Sequence, residues 1–133
     1  GYMEIMLDQP DQIRAWFMLS QLGALRLECI GMKHSSGRSI AKFVREHYGL
    51  QCGRKKTDVL AAYQIYLLLR GVLNPEGLQN TDLIDLYVGH ASDTKVASIL
   101  LAEYKRRGWL NGRMQTTAKY RKVLMEVNRR DRD

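Results

Sequence analysis

The sequence predicts an all-α or nearly all-α helical bundle. Three observations predict it. Apolar residues recur at helical spacing through most of the chain. These stripes tend to open on a capping residue and close on a glycine. The 133 residues are 45% apolar, enough to build a core in one domain or two small ones without staples. The same composition excludes a disordered chain.

Asp8-Gln9-Pro10-Asp11 reads as a helix start, with an acidic cap followed by an early proline. Ile13, Trp16, Phe17, Ser20, Ala24 and Leu27 then define the stripe expected to face the core, with Trp16 and Phe17 within it. Gly31 ends this helix near Ile30, and residues 33–37 read as a loop. Ser39 can cap a second helix to about Tyr48, with Ile40, Phe43 and Val44 inward and Gly49 as its stop. After the basic loop 51–56, Thr57 is the expected cap of a third helix to about Leu69. Residues 8–70 thus form a three-helix N-terminal part.

Gly71 to Asn80, with its proline and glycines, is the expected boundary, although one compact domain stays open. The C-terminal part, 81–128, begins with a short helix from Asp82 to Val88, capped by Asn80 or Thr81. Ser92 is the expected cap of a longer helix, about Asp93 to Arg107, ended by Gly108. Asn111-Gly112 is a hairpin-turn dipeptide. Tyr120, Val123, Leu124 and Val127 then mark a last amphipathic helix.

Charge is segregated along this frame. Residues 33–56 hold seven Lys/Arg against one acid, and residues 105–133 hold ten against three. The remainder holds four against ten, which leaves the chain at +7. A local cationic field of this kind most often meets a phosphate backbone. On the helix from Asp93, Val96, Ile99, Leu100 and Tyr104 fall on one side. Lys95, Ser98, Ala102, Lys105 and Arg106 fall on the other. Small and cationic residues on one helix face suit a major groove. A solvated face and a protein-interaction face are the alternatives at this point. Arg113, after the Asn-Gly turn, would lie near a phosphate backbone.

Residues 81–127 resemble the helix-turn-helix and wing of winged-helix DNA-binding domains. The resemblance is carried by Leu83-Ile84-Asp85-Leu86-Tyr87, Ser92-Asp93-Thr94-Lys95-Val96, Arg106-Arg107-Gly108-Trp109-Leu110 and Thr116-Thr117-Ala118-Lys119-Tyr120. In the N-terminal half, Leu27-Glu28-Cys29-Ile30-Gly31-Met32-Lys33, Gly37-Arg38-Ser39 and Tyr48-Gly49-Leu50 are similar to short uncharacterised proteins of cyanobacteria and their phages. That likeness implies a phage or cyanobacterial origin and a helical fold, and carries no activity with it.

The loops at 33–38 and 51–56 bracket the second helix and predict two basic patches. Ser35, Ser36 and Gly37 beside cations near a helix start form a general anion-binding arrangement. No Walker-type spacing accompanies it. Cys29, His34, His47 and Cys52 are zinc-compatible types at a spacing that does not suit zinc, and Cys29 reads as a small buried hydrophobe. Cys52 and His47 lack a third orienting group. Asp82, Asp85 and Asp93 fit helix starts. No catalytic set, metal or cofactor is therefore expected, and the chain is read as a non-enzyme.

No apolar run reaches a membrane-spanning length. The first residues lack a leader-like pattern and Met3 reads as the natural start, so a cytoplasmic location is expected, that of the host if phage-encoded. The leading expectation is a small, basic, regulator-like protein that binds nucleic acid, duplex DNA favoured. Lys95, Ser98, Lys105 and Arg106 would approach the groove, and Lys33, Arg38, Lys55, Lys56 and Arg113 would contact phosphates. The alternative is a helical interaction protein of a phage, an inhibitor of a host complex or a virion component. A homodimer stays open under both, with an exposed stripe on the first helix able to serve it.

Overall fold

A computed structural model describes residues 10–32 and 37–132, with the side chains from 130 onward left aside. Among the described residues there are six α-helices, one short 3-10 turn and no strands. The helices are α1 (Pro10–Cys29), α2 (Ile40–His47), α3 (Lys56–Leu69), α4 (Asn80–His90), α5 (Thr94–Arg106) and α6 (Ala118–Arg132). The chain divides into two compact units, Gly1–Leu73 and Asn74–Asp133.

Four helices end the same way, and the glycines explain it. After α5, Gly108 takes a φ of 79°, which glycine adopts without the steric penalty of a Cβ. Its N–H donates to Lys105 O at 3.0 Å, and the Trp109 N–H donates to Tyr104 O at 2.9 Å. This Schellman arrangement satisfies carbonyls that the helix leaves unpaired. It also turns Trp109 back into the core, where the side chain is buried. The ends of α1, α2 and α3, at Gly31, Gly49 and Gly71, repeat the pattern.

In the first unit α1, α2 and α3 pack on one another around Leu22, Leu25, Val44, Val59, Tyr63 and Leu67. The Tyr63 hydroxyl donates to Met18 O at 3.0 Å and lies 3.3 Å from Gln21 Oε1, which also accepts from Tyr48. Burial and the neighbouring Tyr48 push the Tyr63 phenol well above its usual pKa, so it acts as a neutral donor.

The helix starts differ from expectation in detail. Ser39 caps α2 as expected, its Oγ accepting from Lys42 N. Helix α3 begins at Lys56, after Lys55, without the cap expected from Thr57. Helix α4 follows Gln79, again without a side-chain cap. Asp93 replaces Ser92 as the cap of α5, because its carboxylate reaches both Lys95 N and Val96 N. A 3-10 turn at Pro75–Gly77, which the spacing did not suggest, is capped by Asn74.

The largest correction concerns α1. The core-facing stripe is Leu22, Leu25 and Glu28, with Met18 and Gln21 half-buried. Trp16 and Phe17, expected inside, are 51% and 57% exposed. Ser20 and Leu27 are also exposed. Both faces of α1 are apolar, so periodicity alone could not select between them. Phe43, expected inward on α2, is also exposed.

Candidate nucleic-acid interface

Helices α4 and α5 are joined by three residues, Ala91 to Asp93. The connection is held at both ends. The Asp93 N–H donates to His90 O at 3.0 Å, and His90 Nδ1 donates to Leu86 O at 2.9 Å. Helix α5 turns Val96, Ala97, Leu100, Glu103 and Tyr104 inward. Lys95, Ser98, Ala102 and Lys105 are exposed at spacings of three and four, one stripe of the outer face. Neither Lys95 nor Lys105 forms an ion pair among the described residues.

Arg106 is on the exposed side but is committed to acids. Its Nε and Nη2 each lie 2.8 Å from an oxygen of Glu103, a bidentate pairing, and its Nε is 3.5 Å from Glu76 Oε1. Glu103 is 4% exposed and also accepts from Arg107 Nε at 2.6 Å. The hydrogen bond from Arg106, then those from Arg107, hold the Glu103 carboxyl below the usual carboxylate range despite its burial. Arg107 donates further to Asn80 Oδ1 at 2.7 Å and Leu78 O at 2.7 Å, and its guanidinium lies 5.4 Å from the centre of the Trp109 ring. This network ties α5 to the start of α4 and to the 3-10 turn.

A hairpin-like loop follows. Leu110 and Thr116 form one antiparallel bridge. The left-handed residue in the loop is Met114, with φ 61°, and not Gly112. Asn111 sets the turn through its side chain, whose Oδ1 accepts Arg113 N at 2.8 Å and Gln115 N at 3.0 Å. Arg113 is therefore presented at an exposed, internally bonded tip. Thr117 closes the loop, donating through Oγ1 to Gly108 O at 2.7 Å and accepting from Tyr120 N. Tyr120 then packs 5.5 Å from the rings of both Tyr104 and Trp109. Exposed Lys119, Arg121 and Lys122 open α6 on the C-terminal side of this loop. They belong to the basic 105–133 stretch, but spacing alone did not single them out.

The N-terminal cations belong to the first unit. Lys33 lies outside the described residues, as do His34, Ser35 and Ser36. Arg38 and Lys55 are exposed, one just before α2 and the other just before α3. Lys56 Nζ lies 3.7 Å from Glu28 Oε1. Glu28 changes the anion-binding expectation at α2. Its Oε2 accepts Ile40 N at 2.7 Å and Ala41 N at 3.2 Å, and its Oε1 accepts from Ser39 Oγ at 2.9 Å. The N-terminus of α2 already holds a carboxylate from the chain itself, so its first donors are not available to an external anion.

Cys29 and Cys52 are free and half-buried, and burial raises both thiols above their ordinary pKa. Among the described residues no group of three or more His, Cys, Asp or Glu side chains could hold a metal ion. No described helix is long and apolar enough to cross a membrane. Compared with known proteins, the chain matches no family model, no curated protein and no solved structure.

Proposed function

We propose that this chain is a small nucleic-acid-binding protein of regulator type, with duplex DNA as its favoured partner. In this reading α4 and α5 act as a helix-turn-helix, and the Leu110–Thr116 loop acts as a minimal wing. The outer stripe of α5 carries the reading: Lys95, Ser98, Ala102 and Lys105 are small or cationic, exposed, and unpaired with acids among the described residues. Small residues allow the helix to approach a groove, and lysines reach phosphates or guanine edges. Arg113 supplies a cation at the loop tip, and Arg38 and Lys55 offer further phosphate contacts from the first unit. Arg106 and Lys56 serve instead to hold Glu103 and Glu28.

A gel shift at low salt with duplex DNA, single-stranded DNA and RNA tests this. The reading expects duplex to shift first and Lys95→Ala with Lys105→Ala to weaken it. Arg106→Ala should weaken it less, because its charge is already met by Glu103. No shift with any of the three would overturn it.

A second reading has its own support in the exposed apolar face of α1. There the chain is a helical interaction protein, such as a phage inhibitor of a host complex or a virion component. Capture of a partner that survives nuclease treatment would favour it.

A further inference from the structure

We propose that the outer face of α1 pairs with the same face of a second copy of this chain, antiparallel about a two-fold axis. This inference is independent of the nucleic-acid reading. The residues of that face are Ile13, Trp16, Ser20, Gly23, Leu27 and Ile30, the last in the turn that ends the helix. Their spacing of three, four, three, four and three is the heptad seam of a helix pair. Trp16 is 51% exposed, Leu27 46% and Ile30 74%. A helix that is apolar on its solvent side as well as its core side is normally covered.

The seam is self-complementary, which points to a second copy. In an antiparallel pair centred between Ser20 and Gly23, Ile13 of one copy faces Ile30 of the other, and Trp16 faces Leu27. Ser20 then faces Gly23. Large residues meet at the two ends, and small residues meet at the middle, where the helices cross most closely. A two-fold interface requires this reciprocity, each residue meeting its counterpart twice.

Gly23 adds an independent observation. A Cβ built there meets nothing within 4 Å, so packing inside the chain does not call for a glycine. A glycine within a helix is less favourable than alanine. A close backbone approach at the centre of the seam accounts for its presence. Charge agrees with self-pairing. From Ala15 to Leu25 the helix has no charged residue, so two copies at +7 can meet there without apposing cations. The same absence leaves an acidic partner nothing to pair with. Half-exposed Trp16 and Phe17 each offer roughly 100 Å². With Leu27 and Ile30 on the seam, and Phe17 and Leu19 flanking it, the apolar surface reaches roughly 500–600 Å² per copy, near the lower limit for a specific interface. An area of that size belongs to the weak, reversible end of specific association.

Sedimentation velocity of the full chain, from about 1 to about 200 µM, tests the pairing. The wild type should pass from monomer to dimer within that range. Gly23→Glu should stay monomeric with unchanged helical circular dichroism, since the monomer has open space at that position. Val88→Glu, at a 72% exposed apolar site outside α1, should dimerise like the wild type. A wild type that stays monomeric at the highest concentration overturns the proposal, whether or not the face then takes up neutral lipid vesicles. So does a Gly23→Glu chain that dimerises as the wild type does, or assembly beyond a dimer.

Discussion

The Glu28 carboxylate accepts the backbone N–H of Ile40 at 2.7 Å, across 12 positions of sequence. One side chain of α1 thereby caps α2 from outside. Glu28 is 6% exposed, and its oxygens also take Ala41 N and Ser39 Oγ, with Lys56 3.7 Å away. The acid satisfies donors at a helix N-terminus, where a negative charge is favoured.

Glu28→Ala should therefore destabilise the first unit by about 2–4 kcal/mol, since it strands buried donors and removes a charged acceptor. Urea unfolding followed by circular dichroism reads this directly. Ser39→Ala should lose only about 1 kcal/mol, the usual worth of one cap.

Glu103 makes the second unit acid-sensitive. Its folded-state carboxyl lies below the ordinary range, held there first by Arg106 and then by Arg107. A depressed carboxylate stabilises the fold at any pH above its unfolded value, near 4.3. That contribution is lost as pH falls through the lower folded value. Thermal melts from about pH 7 down to about pH 2 should show this loss in the wild type. Glu103→Gln should melt lower at neutral pH, by about 2–4 kcal/mol, and show a flatter acid limb.

Trp109 closes the core of the second unit, with 2% exposure and ring contacts to Tyr104 and Tyr120. Trp109→Ala should destabilise the unit by about 3–5 kcal/mol. Trp16, the other tryptophan, is 51% exposed, so the blue-shifted part of the monomer's fluorescence should disappear with Trp109.

Much of the helical frame was legible in the sequence because its punctuation is local. Gly31, Gly49, Gly71 and Gly108 each sit where a helix must end, and the positive φ they adopt is a property of the residue itself. The outer stripe of α5 was legible too, since Val96, Leu100 and Tyr104 leave little ambiguity about which side is inward. Three features were not legible, each for a physical reason. The face of α1 was misassigned because apolar residues lie all around it. Glu28 was overlooked because its hydrogen-bond partners are supplied by another helix. Arg106 was expected at the groove, and its pairing was overlooked because the helical wheel sorts residues by face without weighing the acid three positions earlier, Glu103. The exact turn residue of the hairpin also differed. Asn111 bonds through its side chain, which moves the left-handed position from Gly112 to Met114.

The proposed groove contact makes a quantitative demand on individual lysines. Lys95→Ala and Lys105→Ala should each reduce the salt slope of duplex binding by about one phosphate contact. Fluorescence anisotropy across a salt series checks this, and a circular dichroism melt controls for folding. Arg113→Ala should act similarly if the loop tip reaches a phosphate.

The central claim, that the exposed cations of α5 and its following loop meet a nucleic-acid backbone, is tested most directly by duplex binding measured against salt concentration. With three phosphate contacts, from Lys95, Lys105 and Arg113, affinity should fall roughly 40-fold between about 50 and about 200 mM salt. Binding that is absent at the lowest salt, or present but indifferent to salt, would contradict the account.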